Sequence, residues 1–241
     1  MPTFTRDDAT LYYEEYGSGY PLLLFAPGGM RSTINFWRRS PFDPTAALSD
    51  QFRVIAMDQR NAGQSRGPIR DDGWKTYTAD HVALLDHLGI ERAHVMGGCI
   101  GSSYCLGICE AAPGRITAAV LQNPIGLSAD NREEFRKMFD EWALEVAPQH
   151  PEADAATFVA FRERLFGGDF VFSVSTDYAQ SCPVPLLVLP GNDNFHPEAT
   201  ALEIAELAPQ AEVLPVWRTP DVIDGTVRRV RAFLTAHTPG A

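Results

Sequence analysis

Six short, uninterrupted apolar runs constrain this chain more than any other feature: PLLLFAP (21–27), RVIAMD (53–58), AHVMG (93–97), ITAAVLQNP (116–124), VPLLVLPG (184–191) and AEVLPV (211–216). Runs of this length, without polar alternation, are the pattern of strands buried on both faces. Helical patterns separate several of them, at 77–89, 102–112 and 197–209, and another closes the chain at 221–237. Strand and helix alternating in this way imply right-handed crossovers and a parallel sheet. The stretch TFTRDDATLYYEEYG (3–17) alternates around Asp7 and Asp8 and predicts an N-terminal hairpin. The expected fold is therefore α/β: a mostly parallel, doubly wound sheet of about eight strands with flanking helices, forming one domain over residues 1–241.

The rhythm breaks once. Between Pro124 and Pro183 the chain reads as helical with no strand, which predicts a small helical lid at 125–182, inserted after the sixth strand. A lid there would cover the carboxyl ends of the strands, where open α/β sheets place their ligands. Its aromatics (Phe135, Phe139, Trp142, Phe158, Phe161, Phe166) recur at roughly helical spacing, a pattern that suits holding the lid to the core. Trp142 is the candidate among them for a substrate contact.

Charge and composition exclude several classes. Twenty Lys and Arg against 31 Asp and Glu leave a net charge of −11, which argues against nucleic acid, whose phosphates need clustered cations. The N-terminus lacks the basic-then-apolar layout of a signal peptide, and no apolar run nears the ~20 residues that span a bilayer. A cytoplasmic setting without membrane association is expected. The four cysteines (Cys99, Cys105, Cys109, Cys182) show neither a CxxC pair nor zinc-like spacing with His. No metal constellation or phosphate-cradling loop is present, so no metal and no cofactor are expected, and the expected partner is a small-molecule substrate.

Gly97-Gly98-Cys99-Ile100-Gly101 has the form G-x-nucleophile-x-G, directly after a predicted strand and before a predicted helix. That context defines a nucleophile elbow. Turning from strand to helix in so few residues forces an unusual backbone at the centre, and it leaves no room for side chains on either flank. The sulfur then sits at a helix N-terminus, where free N–H groups favour thiolate. The plainer alternative is a small residue filling a tight junction.

With these features in view, the chain resembles the α/β-hydrolase family over essentially its whole length. LLLFAPGGM resembles the family's strand and oxyanion loop. VIAMDQRNAGQS (54–65) is similar to its D-x-R-G-x-G-x-S loop, with Asn61 where glycine is usual, and VPLLVLPGNDNFHP resembles the strand and loop that carry its acid. The resemblance implies oxyanion N–H donors from Ile100, after the nucleophile, and from Met30 or Gly29 after the third strand. It implies a triad acid at Asp193, which a G-N-D-N turn would favour on local grounds alone. Cysteine replaces the family's usual serine.

The family's histidine, expected after the eighth strand, is missing: VLPVWRTPDVIDG contains none. Trp217 and Arg218 occupy that region, and Trp217 is a candidate substrate contact. His237 comes too late in the last helix; His81, His87 and His94 belong to the helix and strand before the elbow, and His150 to a polar lid loop. His196, three residues past Asp193, is the remaining candidate base, although an HP pair at a helix entrance has a purely structural use. Two readings follow. In one, Cys99, His196 and Asp193 hydrolyse a small, partly hydrophobic ester, thioester or lactone. In the other, the scaffold has lost its standard relay and performs non-hydrolytic chemistry (lyase, isomerase or cyclase), or binds a small molecule without turnover.

Overall fold

The computed structural model describes residues 2–70 and 72–240. An eight-stranded sheet forms the centre, in the order β1-β2-β4-β3-β5-β6-β7-β8. Its strands are β1 (Thr3–Arg6), β2 (Ala9–Tyr16), β3 (Tyr20–Phe25), β4 (Phe52–Met57), β5 (Ala93–Gly98), β6 (Ile116–Gln122), β7 (Leu186–Leu189) and β8 (Ala211–Val213). The hairpin β1–β2 is antiparallel and β2 joins β4 antiparallel, whereas β4-β3-β5-β6-β7-β8 is parallel throughout. Every residue of β5, β6 and β7 is buried, which is why these runs carry no polar alternation. The last strand is shorter than its apolar run: pairing stops after Leu214, whose N–H reaches Val188, and Pro215 has no N–H to continue the ladder.

Helices cover both faces. On one side lie α2 (Trp74–His87), α3 (Ile100–Ala111) and α7 (Glu198–Leu207); on the other, the short α1 (Pro44–Ala47) and α8 (Ile223–Ala236). Three more helices, α4 (Arg132–Val146), α5 (Ala155–Phe166) and α6 (Thr176–Ser181), occupy the stretch between β6 and β7. Their aromatics interlock: Phe135 with Phe166 (5.4 Å), Phe139 with Phe161 (5.2 Å) and Trp142 with Phe139 (5.3 Å between centroids). The Trp74 indole N–H donates to the Leu165 carbonyl at 2.9 Å and ties α5 to α2. No helix among the described residues is long and apolar enough to cross a membrane.

The strand order fixes where a site can form. From β3 the chain runs to β4 on one side, then crosses back to β5 on the other. The loops leaving β3 and β5 therefore diverge from adjacent carboxyl ends, the topological switch point of an open sheet. Below them, the loop after β4 is rigidly built. The Asp58 carboxylate accepts the N–H groups of Ile34 (2.9 Å) and Gln64 (2.8 Å). Asn61 adopts φ 58° and accepts the Gly67 N–H at 2.8 Å; asparagine suits this left-handed position because its side chain bonds locally.

Candidate active site

The elbow is built by close approach. Cys99 sits at φ 57°, ψ −122°, between the end of β5 and the start of α3. A Cβ on Gly97 would lie 2.0 Å from the Gly101 carbonyl oxygen, and one on Gly101 would lie 2.0 Å from that of Phe25. Only glycine fits either place. The Cys99 N–H donates to the Gln122 carbonyl at 2.8 Å and the Ser102 hydroxyl to Gly97 at 3.0 Å, so the strained residue is held from both sides.

Three further elements meet this sulfur. The loop after β3 brings Gly28 and Gly29, both at positive φ (124° and 57°). The loop after β7 brings Phe195 and His196, and α4 brings Phe135 and Met138. Together with Cys99, Ile100 and Ile125 they enclose a cavity of about 190 Å³. Apart from the thiol and the imidazole, its side chains are apolar.

Asp193 and His196 form a compact unit. The Asp193 carboxylate accepts from His196 Nδ1 (2.7 Å) and from the N–H groups of Phe195 (3.0 Å) and His196 (3.1 Å). A Cβ on Gly191 would stand 2.3 Å from His196 Cβ, so the glycine lets the turn close on itself. With Nδ1 engaged, Nε2 is the free ring nitrogen; it is buried and has no aligned hydrogen-bond partner. The imidazole nonetheless lies close enough to Cys99 for the two to set each other's proton affinity.

Burial alone would raise the thiol. The adjacent imidazole, with the Ile100 and Gly28 amides, outweighs it, and Cys99 falls below the usual thiol range. Burial alone would likewise lower the imidazole, but Cys99 and then Asp193 push His196 up to about 9. Both shifts point one way, favouring a thiolate beside an imidazolium. Cys105 and Cys109 differ: burial drives both well above the normal thiol value.

The structure thus brings Cys99, His196, Asp193, Ile100 and Gly29 into one place and leaves the side chains of three candidates elsewhere. Met30 points into the core and does not line the cavity. Of the β3 loop, Gly28 and Gly29 line the cavity beside the sulfur, and the Gly28 amide helps to lower the Cys99 thiol. The glycine pair was the available signal, but the loop's register cannot be read without coordinates. Trp142 is buried among Phe139, Phe158 and Phe161, where it packs α4 on α5 instead of facing a ligand. Trp217 is fully buried on the opposite face of the sheet, its indole N–H donating to the Pro190 carbonyl at 2.8 Å.

The remaining histidines have other partners. His81 is wholly buried against Phe25 and Tyr104, and burial lowers its pKa to about 3. His94 lies between the Thr117 and Thr238 hydroxyls (2.8 and 2.9 Å), His150 pairs with Glu152 at 2.8 Å, and His237 bonds the Phe233 carbonyl of its own helix.

The sequence model for the alpha/beta hydrolase fold matches residues 21–184, more than half of the chain. The chain belongs to the α/β-hydrolase fold family. Among its relatives is a proline iminopeptidase of Xylella fastidiosa, 32% identical over 59% of this chain and 44% of that protein. A non-heme haloperoxidase of Rhodococcus erythropolis is 27% identical over 85% of this chain and 86% of its own length. The first matches cover only 44% to 51% of the relative, so the chain spans about half the length of many curated relatives it matches. In three dimensions the α/β-hydrolase chain is similar to a meta-cleavage product hydrolase of Pseudomonas fluorescens, with a TM-score of 0.74 at 20% identity, covering 99% of this chain and 98% of that one. At that identity the likeness speaks for the fold.

Proposed function

We propose that this chain is a cysteine-dependent hydrolase acting on a small, apolar ester, thioester or lactone. The observation that carries the reading is the array Asp193–His196–Cys99 at one apolar cavity, with the thiol below and the imidazole above their ordinary values. Cys99 is the nucleophile, His196 the general acid and base, and Asp193 the group that orients and charges the imidazole. Helices α4 to α6 serve as a lid, residues 125–182, with α4 forming the cavity wall opposite the elbow.

In this mechanism the thiolate attacks the substrate carbonyl carbon, forming a C–S bond while the π pair moves onto oxygen. The Ile100 amide and the amides of the β3 loop, Gly28 and Gly29, stabilise that oxyanion, each such donor contributing about 3–4 kcal/mol. Collapse breaks the bond to the leaving group, which takes the Nε2 proton from His196. Neutral His196 then removes a proton from water; the hydroxide attacks the thioester, and the acid leaves as thiolate is regenerated. At about 190 Å³ the cavity is below the usual range of roughly 300–1,000 Å³ for ligand pockets. Apart from His196 no ionisable side chain but the thiol lines it, and no Lys or Arg does, so the acyl group is small and uncharged.

Incubation with 4-nitrophenyl acetate and butyrate tests the reading. Mass spectrometry should find an acyl group on Cys99, and Cys99→Ala should lose both adduct and turnover. Unchanged turnover in that variant would overturn it. A second reading draws on the unaligned Nε2 and on the haloperoxidase among the relatives: the site performs non-hydrolytic chemistry. Its signature is an adduct that forms stoichiometrically and is not hydrolysed.

A further inference from the structure

Asn131 stands at the N-cap of α4, where asparagine ordinarily accepts a hydrogen bond from its own helix's free N–H groups. Its side chain makes no such bond. It is 1% exposed, and a buried carboxamide is unfavourable unless its polar atoms find partners. Those partners lie outside the helix. Oδ1 accepts the Ser128 N–H at 2.8 Å, while Nδ2 donates to the Gly126 carbonyl at 2.9 Å and the Asn194 carbonyl at 2.7 Å.

The last bond crosses from the β6–α4 connection to the turn that carries His196. Asn194 is gripped again through its own side chain, which donates to Glu134 at 2.8 Å, and Phe195 packs edge-on against Phe135 at 5.1 Å. Of these attachments only the Asn131 bond is made by a fully buried polar side chain. The Asp193 carboxylate organises the turn from within, but its side chain is 54% exposed and, among the described residues, reaches no other element by hydrogen bonding.

We infer that Asn131 is a positioning residue: by holding the Asn194 carbonyl it sets where the His196 imidazole stands relative to the Cys99 sulfur. The inference rests on the Cys99–His196 reading above. It also suits a site whose candidate base comes from the loop after β7, since such a base needs an anchor on the neighbouring β6–α4 connection. The titratable groups around the pair are Asp193 on the same turn, Glu134 on α4 acting through Asn194, and buried Tyr104 on α3.

The test is the rate of Cys99 alkylation by iodoacetamide, followed by mass spectrometry from about pH 6 to pH 10. Four proteins are compared: the parent, H196Q, N131A and N131S. Serine can still accept the Ser128 N–H but cannot reach Asn194, so N131S keeps the local turn if N131A does not fold. Both Asn131 variants should alkylate about 3- to 10-fold more slowly at pH 7 and converge on the parent near pH 10, where any thiol is ionised. A slowing that is uniform across pH, or no change in a folded N131S, overturns the inference while H196Q still shifts the profile. If H196Q itself leaves the profile unmoved, the Cys–His reading fails, and this inference with it.

Discussion

The turn at Cys99 and the turn at His196 face each other across one cavity, yet they are held by opposite means. The elbow is held by backbone: two glycines in steric contact with carbonyls, and a buried N–H paired at 2.8 Å across to β6. The base turn also closes on a glycine, Gly191, but it is fixed to its surroundings by side chains, with the Asp193 carboxylate inside it and Asn131, Glu134 and Phe135 reaching over from the start of α4. Backbone constraint tolerates almost no substitution and writes itself into a short motif. The side-chain contacts that tie the base turn to the α4 region join residues sixty or more positions apart and leave no local mark.

The largest effect should come from adding one methyl to the elbow. In Gly101→Ala the new carbon would meet the Phe25 carbonyl at 2.0 Å from oxygen and 2.8 Å from carbon, both backbone atoms that cannot step aside. We expect a loss of about 3 kcal/mol or more, read as a lower denaturant midpoint, or no soluble protein. Gly114→Ala is the control, because nothing lies within 4 Å of its Cβ; a change within about 0.5 kcal/mol is expected. Equal effects at the two sites would mean that the close approach at Gly101 does not hold the elbow.

This contrast also explains what the sequence made legible. The alternation of apolar runs and helical patterns carries the sheet, because strands buried on both faces must be apolar throughout and crossover helices must follow them. The Gly97–Gly101 motif carries the elbow, because the clash that demands glycine is local. The choice between Met30 and Gly29 stayed open because an irregular loop has no periodicity from which to count. Trp142 and Trp217 looked available for a ligand, but each fills a core on one side of the sheet, and core aromatics have the same sequence pattern as pocket aromatics. Asn131 was invisible for a related reason: its partner is a backbone carbonyl 63 residues away.

The next effect concerns charge. Esterase activity should need both thiolate and imidazolium, so kcat/KM should follow a bell. Its acid limb should fall below that of an ordinary thiol, because the net of burial, His196 and the two amides lowers Cys99. Its alkaline limb should lie about 9, where His196 loses the proton it gives the leaving group. Alkylation needs only thiolate, so it should rise through the acid limb and show no alkaline fall. His196→Gln should slow alkylation at pH 7 by about 10-fold or more. An acid limb at the ordinary thiol value would mean that the two turns do not communicate.

The smallest effect should belong to Asp193, and its size discriminates between kinds of triad acid. A buried aspartate that orients a catalytic histidine is worth about 10⁴-fold when changed to asparagine, because nothing else fixes the tautomer or balances the charge. Here the carboxylate is half exposed, so water and salt already screen it. Asparagine can keep an Oδ1 acceptor for the Phe195 and His196 N–H groups, so the turn survives and only the charge is lost. Asp193→Asn should therefore reduce kcat/KM by about 3- to 10-fold, with the alkaline limb moving below 9 as His196 is less readily protonated. Asp193→Ala also releases the two backbone bonds and should lose more. If the two substitutions prove equal, the carboxylate acts by charge alone, and the turn owes its shape to α4.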